Sequence, residues 1–134
     1  MHLTSYRLAK EVDELKENGT KNLISRLNAV FKYQEQQTNK ITEHIKESPY
    51  PIVFCGDFNN MAFSYVYRQI KEAGNLKDTF VEKGSGFGAT HNFKYFPTRI
   101  DFTLVSDKVK VNSHKVVKTK SWSDHYPIIT TLSF

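Results

Sequence analysis

Three short segments hold the residues of this chain that could act together chemically: Gly56-Asp57-Phe58-Asn59, Arg99-Ile100-Asp101-Phe102 and Ser123-Asp124-His125-Tyr126-Pro127. Each sets compact acids, an amide or an imidazole where an apolar run meets a turn, so side chains from all three can converge at one end of a sheet. Asp57, Asn59, Asp124 and His125 supply what attack of water on a phosphate ester requires: a base, an amide donor, a metal-binding carboxylate and a donor imidazole. Asp57 and Asn59 stand two apart, so in extended backbone they point to the same side. Such a pair can hold a water and a phosphoryl oxygen, or it can close an Asx turn and cap its own backbone. Arg99 and Asp101 share a strand face by the same spacing. They form either a surface ion pair of small energetic value or a site where Asp101 accepts a hydrogen bond from an imidazole and fixes its tautomer. Asp124 and His125 are adjacent, diverge, and can serve a metal sub-site and a phosphate sub-site; the plainer alternative is a polar turn. Pro127 fixes the backbone that enters the last strand.

The elements that would position these groups form one unit, residues 1–134, with no repeat and no linker. Leu8, Val12 and Leu15 predict a helix over 5–17, ended by Asn18-Gly19. A second helix runs from Lys21 to Lys46 with the stripe Leu23, Leu27, Val30/Phe31, Gln34, Ile41 and Ile45, and its polar middle turn, Gln34 to Asn39, overhangs the core. Ser48-Pro49-Tyr50-Pro51 stops it. Ile52 to Cys55 reads as a strand covered on both faces. Ser64 caps a third helix, Tyr65 to Glu72, with Gly74 just past its end. Residues 82–98 form a long loop containing His91 and Tyr95, a candidate for substrate selection. The final forty residues predict strands over Arg99–Val105, Lys108–Val111, Val116–Thr119 and Ile128–Phe134. Helices early and strands late give an α/β chain with a mixed sheet.

The chain has 134 residues, 39% hydrophobic, enough to bury a core, and no apolar run approaches a membrane span. One cysteine, Cys55, excludes an internal disulfide and reads as a small buried hydrophobe. No Cys/His spacing points to zinc. The net charge of +5, from 19 Lys+Arg against 14 Asp+Glu, suits an anionic partner. The lysines between 108 and 120 alternate with Val and read first as the solvent face of a strand pair.

The ordered set Gly-Asp-Phe-Asn, Arg-Ile-Asp-Phe and Ser-Asp-His-Tyr-Pro resembles the endonuclease/exonuclease/phosphatase superfamily, with the deoxyribonuclease I-like fold. The resemblance runs from His2-Leu3, which looks like the family's strand-ending His-Leu, to the final strand. It implies half of a four-layer α/β sandwich, with a mixed, mostly antiparallel sheet and helices on one face. It also implies a Mg2+-dependent hydrolase of phosphate esters, of phosphodiesterase or nuclease type, with Mn2+ as the alternative ion. By the same resemblance Asp57 orients or deprotonates the attacking water, and Asn59 holds the nucleophile and the phosphate. Asp101 orients His125, His125 contacts the phosphate, Asp124 holds the metal, and His2 is similar to a general acid near the leaving group.

The family's first half should bring a strand with an Asn and a strand with a metal-binding Glu. Neither is legible here, and Met1 stands directly before an apparent strand end. The expectation is a C-terminal fragment, inactive alone, whose localisation is left open. Its sheet would leave alternate apolar positions bare among Ile52, Phe54, Ile100, Phe102, Leu104, Ile128 and Leu132, so two copies would stack sheet on sheet as a homodimer. The competing reading is a non-catalytic basic module that binds nucleic acid, with salt-sensitive affinity.

Overall fold

The computed structural model describes Leu3 and residues 20–92, 97–118 and 123–134. The helix expected over 5–17, the apolar side chains Leu23 and Leu27, and His2 lie outside the described residues. Helix α1 spans Thr20–Glu47. Along its inner face Gln34, Thr38, Ile41 and Ile45 recur at helical spacing, and His44 and Lys46 in the last turn complement the helix dipole. The polar middle turn does not overhang the core. Gln34 and Thr38 are buried because their polar atoms are satisfied there. The Thr38 hydroxyl donates to the Gln34 carbonyl at 2.7 Å, and Asn60 Nδ2 donates to Gln34 Oε1 at 2.9 Å.

Strand β1 (Val53–Asp57) follows, then helix α2 (Tyr65–Ala73). Ser64 caps α2 as expected, its hydroxyl accepting the Tyr67 N–H at 3.2 Å. Beyond the end of α2, a Cβ on Gly74 would stand 2.7 Å from Ile45 Cγ2, so only glycine lets the two helices close. Two short elements come next, β2 (Lys77–Asp78) and α3 (Thr79–Lys83). Strands β3 (Asp101–Val105), β4 (Lys110–Val116) and β5 (Ile128–Ser133) complete the described chain. Of the strands expected over 108–111 and 116–119, Lys110, Val111 and Val116 fall in the single strand β4, which has an irregularity between Val111 and Ser113. Lys108 and Val109 lie in the preceding turn, Val117 and Lys118 follow the strand, and Thr119 lies outside the described residues.

β1, β3 and β2 form an antiparallel sheet in the order β1-β3-β2. Its register sets Val53 opposite Val105 and Asp57 opposite Asp101. Leu3 adds to the far side of β1, donating its N–H to the Asp57 carbonyl at 2.9 Å. β4 and β5 pair in a second sheet. The main core lies between the first sheet and helices α1 and α2. It comprises Leu3, Ile45, Phe58, Val66, Tyr67, Ile70, Leu76, Phe102 and Leu104, with the Phe58 and Phe102 rings 4.8 Å apart. Val105, Val109 and Val111 with Leu132 make a smaller cluster beneath the second sheet.

β1 is not covered on both faces. Ile52 and Phe54 pack on the core, while Val53 and Cys55 are exposed, so Cys55 is not the buried hydrophobe its neighbours suggested. Of the seven apolar positions among which alternate ones were expected to be bare, Phe102 and Leu104 are buried and the other five half-buried; the large apolar side chains exposed on these strands are Val53 and Ile129. Among the described residues no helix is long and apolar enough to cross a membrane.

Candidate active site

The three motifs meet where β1 and β3 end. Asp57 and Asp101 are directly opposite in the ladder, so their carboxylates share a side. Like charges so placed repel, and each is held by its own donor. Asp57 Oδ1 accepts the Asn59 N–H at 2.7 Å and Oδ2 accepts Asn59 Nδ2 at 3.1 Å. Asn59 adopts a left-handed backbone, φ 48°, which asparagine tolerates better than most residues. Its Nδ2 also donates to the Leu3 carbonyl at 2.7 Å. The Asx turn and the site are therefore one structure. The two amide hydrogens expected to reach a substrate are spent on Asp57 and Leu3.

Asp101 Oδ2 lies 2.8 Å from His125 Nδ1. With Asp101 ionised, Nδ1 carries the proton and donates, which leaves Nε2 as the nitrogen that faces outward chemistry. Asp57, Asp101 and His125 bring ligand atoms within 4.8 Å of one another. Asp124 stands outside the Asp57, Asp101 and His125 group, but its ligand atom lies within 4.8 Å of those of His91 and His125. Its Oδ2 lies 3.6 Å from His91 Nε2, and its side chain is 76% exposed. His91 also packs edge-on against His125, ring centroids 4.8 Å apart. Tyr95 lies outside the described residues.

Arg99 does not share a pair with Asp101. Its Nη1 donates to Asp78 Oδ2 at 2.7 Å, and its guanidinium lies 4.6 Å from the ring centroids of both Phe80 and Phe102. Asp78 is buried. It accepts the Tyr67 hydroxyl on Oδ2 at 2.7 Å and caps α3 by accepting the Phe80 N–H on Oδ1 at 2.9 Å. Burial first, and then this bond to Asp78, pushes the Tyr67 phenol well above its ordinary range. Arg99 thus anchors the segment that delivers Asp101. A second anchor went unread in the sequence: Thr90, fully buried, accepts the backbone N–H groups of Ile100 and Asp101 on its hydroxyl, each at 3.1 Å. Its carbonyl accepts the Tyr126 N–H at 2.6 Å. One residue therefore ties the approach to Asp101 to the loop that carries His125. The signal available in the sequence was a lone Thr between Gly88-Ala89 and His91, too common a pattern to single out.

A family model described as the Endonuclease/Exonuclease/phosphatase family matches residues 20–125. The chain belongs to the endonuclease/exonuclease/phosphatase family. No curated protein matches the sequence. Among solved structures, the endonuclease/exonuclease/phosphatase from Bacteroides vulgatus is similar at 28% identity and TM-score 0.65, over 76% of this chain and 44% of that one. The mannosyl-6-phosphatase of Bacteroides thetaiotaomicron VPI-5482 is similar at 22% identity and TM-score 0.59, over 76% and 45%. The human Nocturnin catalytic domain, solved with a bound sulfate anion, is similar at 18% identity and TM-score 0.63, over 99% and 45%. The last two likenesses are of fold. This member of the endonuclease/exonuclease/phosphatase family spans less than half the length of each of these chains. Its mixed α/β build, antiparallel sheets with helices packed on them, is that of the solved members.

Proposed function

We propose that this chain carries the water-activating and phosphate-binding part of a phosphate-ester hydrolase. The observation that carries the reading is the gathering of Asp57, Asp101 and His125 within 4.8 Å from two motifs on paired strands and a third on a loop. Asp57 is the base. Its two oxygens are fixed by Asn59, and a carboxylate retains further lone pairs for an attacking water. Asn59 is a positioning residue that locks this carboxylate. His125, held through Nδ1 by Asp101, directs Nε2 at the phosphoryl oxygens and stabilises charge that develops there. His2, the candidate acid for the leaving group, lies outside the described residues. The sulfate in the Nocturnin structure and the phosphatase named in the Bacteroides thetaiotaomicron structure agree with a centre built for a tetrahedral oxyanion.

Mg2+ fits the chemistry of the donors. That ion takes one or two carboxylates and keeps water or phosphate oxygens as its remaining ligands; Asp124 offers an exposed carboxylate beside the cluster. When bound, the ion neutralises charge on the phosphoryl group. Hydrolysis of a generic phosphodiester and a phosphomonoester by the full gene product containing this chain tests the reading. Asp57→Asn and His125→Ala should each lower the rate by about 10²–10⁴-fold, as loss of a general base or acid does, and chelation should abolish it. Undiminished turnover in either variant overturns the assignment.

A further inference from the structure

We propose that His91, Asp124 and His125 form a binding site for one divalent transition-metal cation of the Zn2+ type. The sequence gives no such spacing, because the two histidines come from different loops. The backbone brings them together. Asn92 N–H donates to the Asp124 carbonyl at 2.8 Å, Tyr126 N–H donates to the Thr90 carbonyl at 2.6 Å, and His91 and His125 are opposite residues of an antiparallel bridge. Opposite residues on a bridge project to one side, which is why the rings meet edge to face at 4.8 Å. The ligand atoms of all three residues lie within 4.8 Å of one another.

The chemistry of the set decides what it binds. An anion would gain from two imidazoles but be repelled by Asp124, whereas a cation uses all three groups as donors. Two imidazoles and one carboxylate, with a position left for water, are a donor set of open zinc centres. Imidazole nitrogen favours Zn2+, Co2+ and Ni2+ over Mg2+, which prefers oxygen. His125 is already prepared for this role. Its Nδ1 is 2.8 Å from Asp101 Oδ2, the carboxylate–histidine arrangement that orients a metal-binding imidazole from behind. The exposed Asp124 side chain can swing inward to close the set around an ion. An ion held here takes the His125 nitrogen that the proposed hydrolysis gives to phosphate, so occupancy opposes substrate binding. The site itself does not depend on that hydrolysis.

Calorimetric titration of the 134-residue chain with Zn2+, and the visible absorption of Co2+ added to it, test the proposal. One ion per chain is expected, undisplaced by millimolar Mg2+. His91→Ala and Asp124→Ala should each abolish the Co2+ spectrum, and His91→Gln serves if the alanine variant fails to fold. Asp101→Asn should weaken Zn2+ by about 10–100-fold, the usual effect of losing an outer partner. His44→Ala, on helix α1, should leave Zn2+ binding unchanged. Zn2+ binding as tight in His91→Ala or His91→Gln as in the parent, or binding lost in His44→Ala instead, overturns the proposal. Failed hydrolysis with intact Zn2+ binding would strike only the enzymatic reading.

Discussion

The Thr90 hydroxyl accepts the backbone N–H of Asp101 at 3.1 Å, so a buried side chain fixes the strand end that carries the carboxylate behind His125. The same oxygen holds Ile100 N–H at equal distance. The Thr90 carbonyl oxygen accepts the Tyr126 N–H, so two motifs distant in sequence are referenced to one residue.

Replacing Thr90 by Val keeps the shape and removes that acceptor. Two N–H groups would lose their partner, and leaving a buried polar group unsatisfied costs about 1–3 kcal/mol. Thr90→Val should lower the urea midpoint accordingly without changing the slope, and Thr90→Ser should recover most of the loss. Equal midpoints for Val and Ser variants would show that the hydroxyl carries no weight.

The Arg99–Asp78 pair makes a second prediction. The Asp78 side chain is fully buried, and Arg99 at 2.7 Å is its cationic partner. Breaking a buried pair from one side leaves an uncompensated charge and costs about 3–5 kcal/mol. Arg99→Ala should destabilise by that order in chemical unfolding. Arg99→Lys should rescue only part, because an ammonium cannot reproduce the planar guanidinium between the Phe80 and Phe102 rings.

His114 predicts a dependence of stability on pH. It is buried on β4 with Nδ1 2.8 Å from the Thr79 hydroxyl and 3.2 Å from that of Thr130. Burial holds its pKa below the ordinary value, Asp78 opposing and Arg99 adding to the effect. In the unfolded chain the imidazole titrates near ~6.5, so below that pH the unfolded state binds more protons than the folded one. Stability should be level above about pH 6.5 and decline as pH falls toward the lowered folded value. Urea midpoints measured across that window should slope downward in acid for the parent and flatten in His114→Gln. A flat parent profile would contradict this account.

Much of the architecture was legible because it rests on local rules. The long helix expected over 21–46 spans 20–47, and Ser64 and Gly74 bound α2. These follow from apolar spacing, a capping hydroxyl and a close helix approach. Strand β4 read as two pieces because the irregularity between Val111 and Ser113 interrupts the two-residue period. β2 and α3, two and five residues long, are too short for a period to show. In the site, residue types and turn positions pointed to Asp57, Asp101 and His125. The supports Asp78 and Thr90 stayed hidden because their partners, Tyr67, Arg99, Asp101 and Tyr126, are far away in sequence and related only by packing. Gln34 was placed on the apolar stripe while its turn was expected to overhang, since no local rule shows that Asn60 will satisfy it.

The opposed placement of Asp57 and Asp101 ties chemistry to alignment of the chain. Moving β1 along β3 by a single residue would turn Asp57 to the far side of the sheet and Phe58 out of the core together. Such a slip would part Asp57 from the Asp101–His125 pair and bare an aromatic ring in the same step. Closing the interior and gathering the carboxylate–imidazole cluster are thus one event, and a probe of either reports on both.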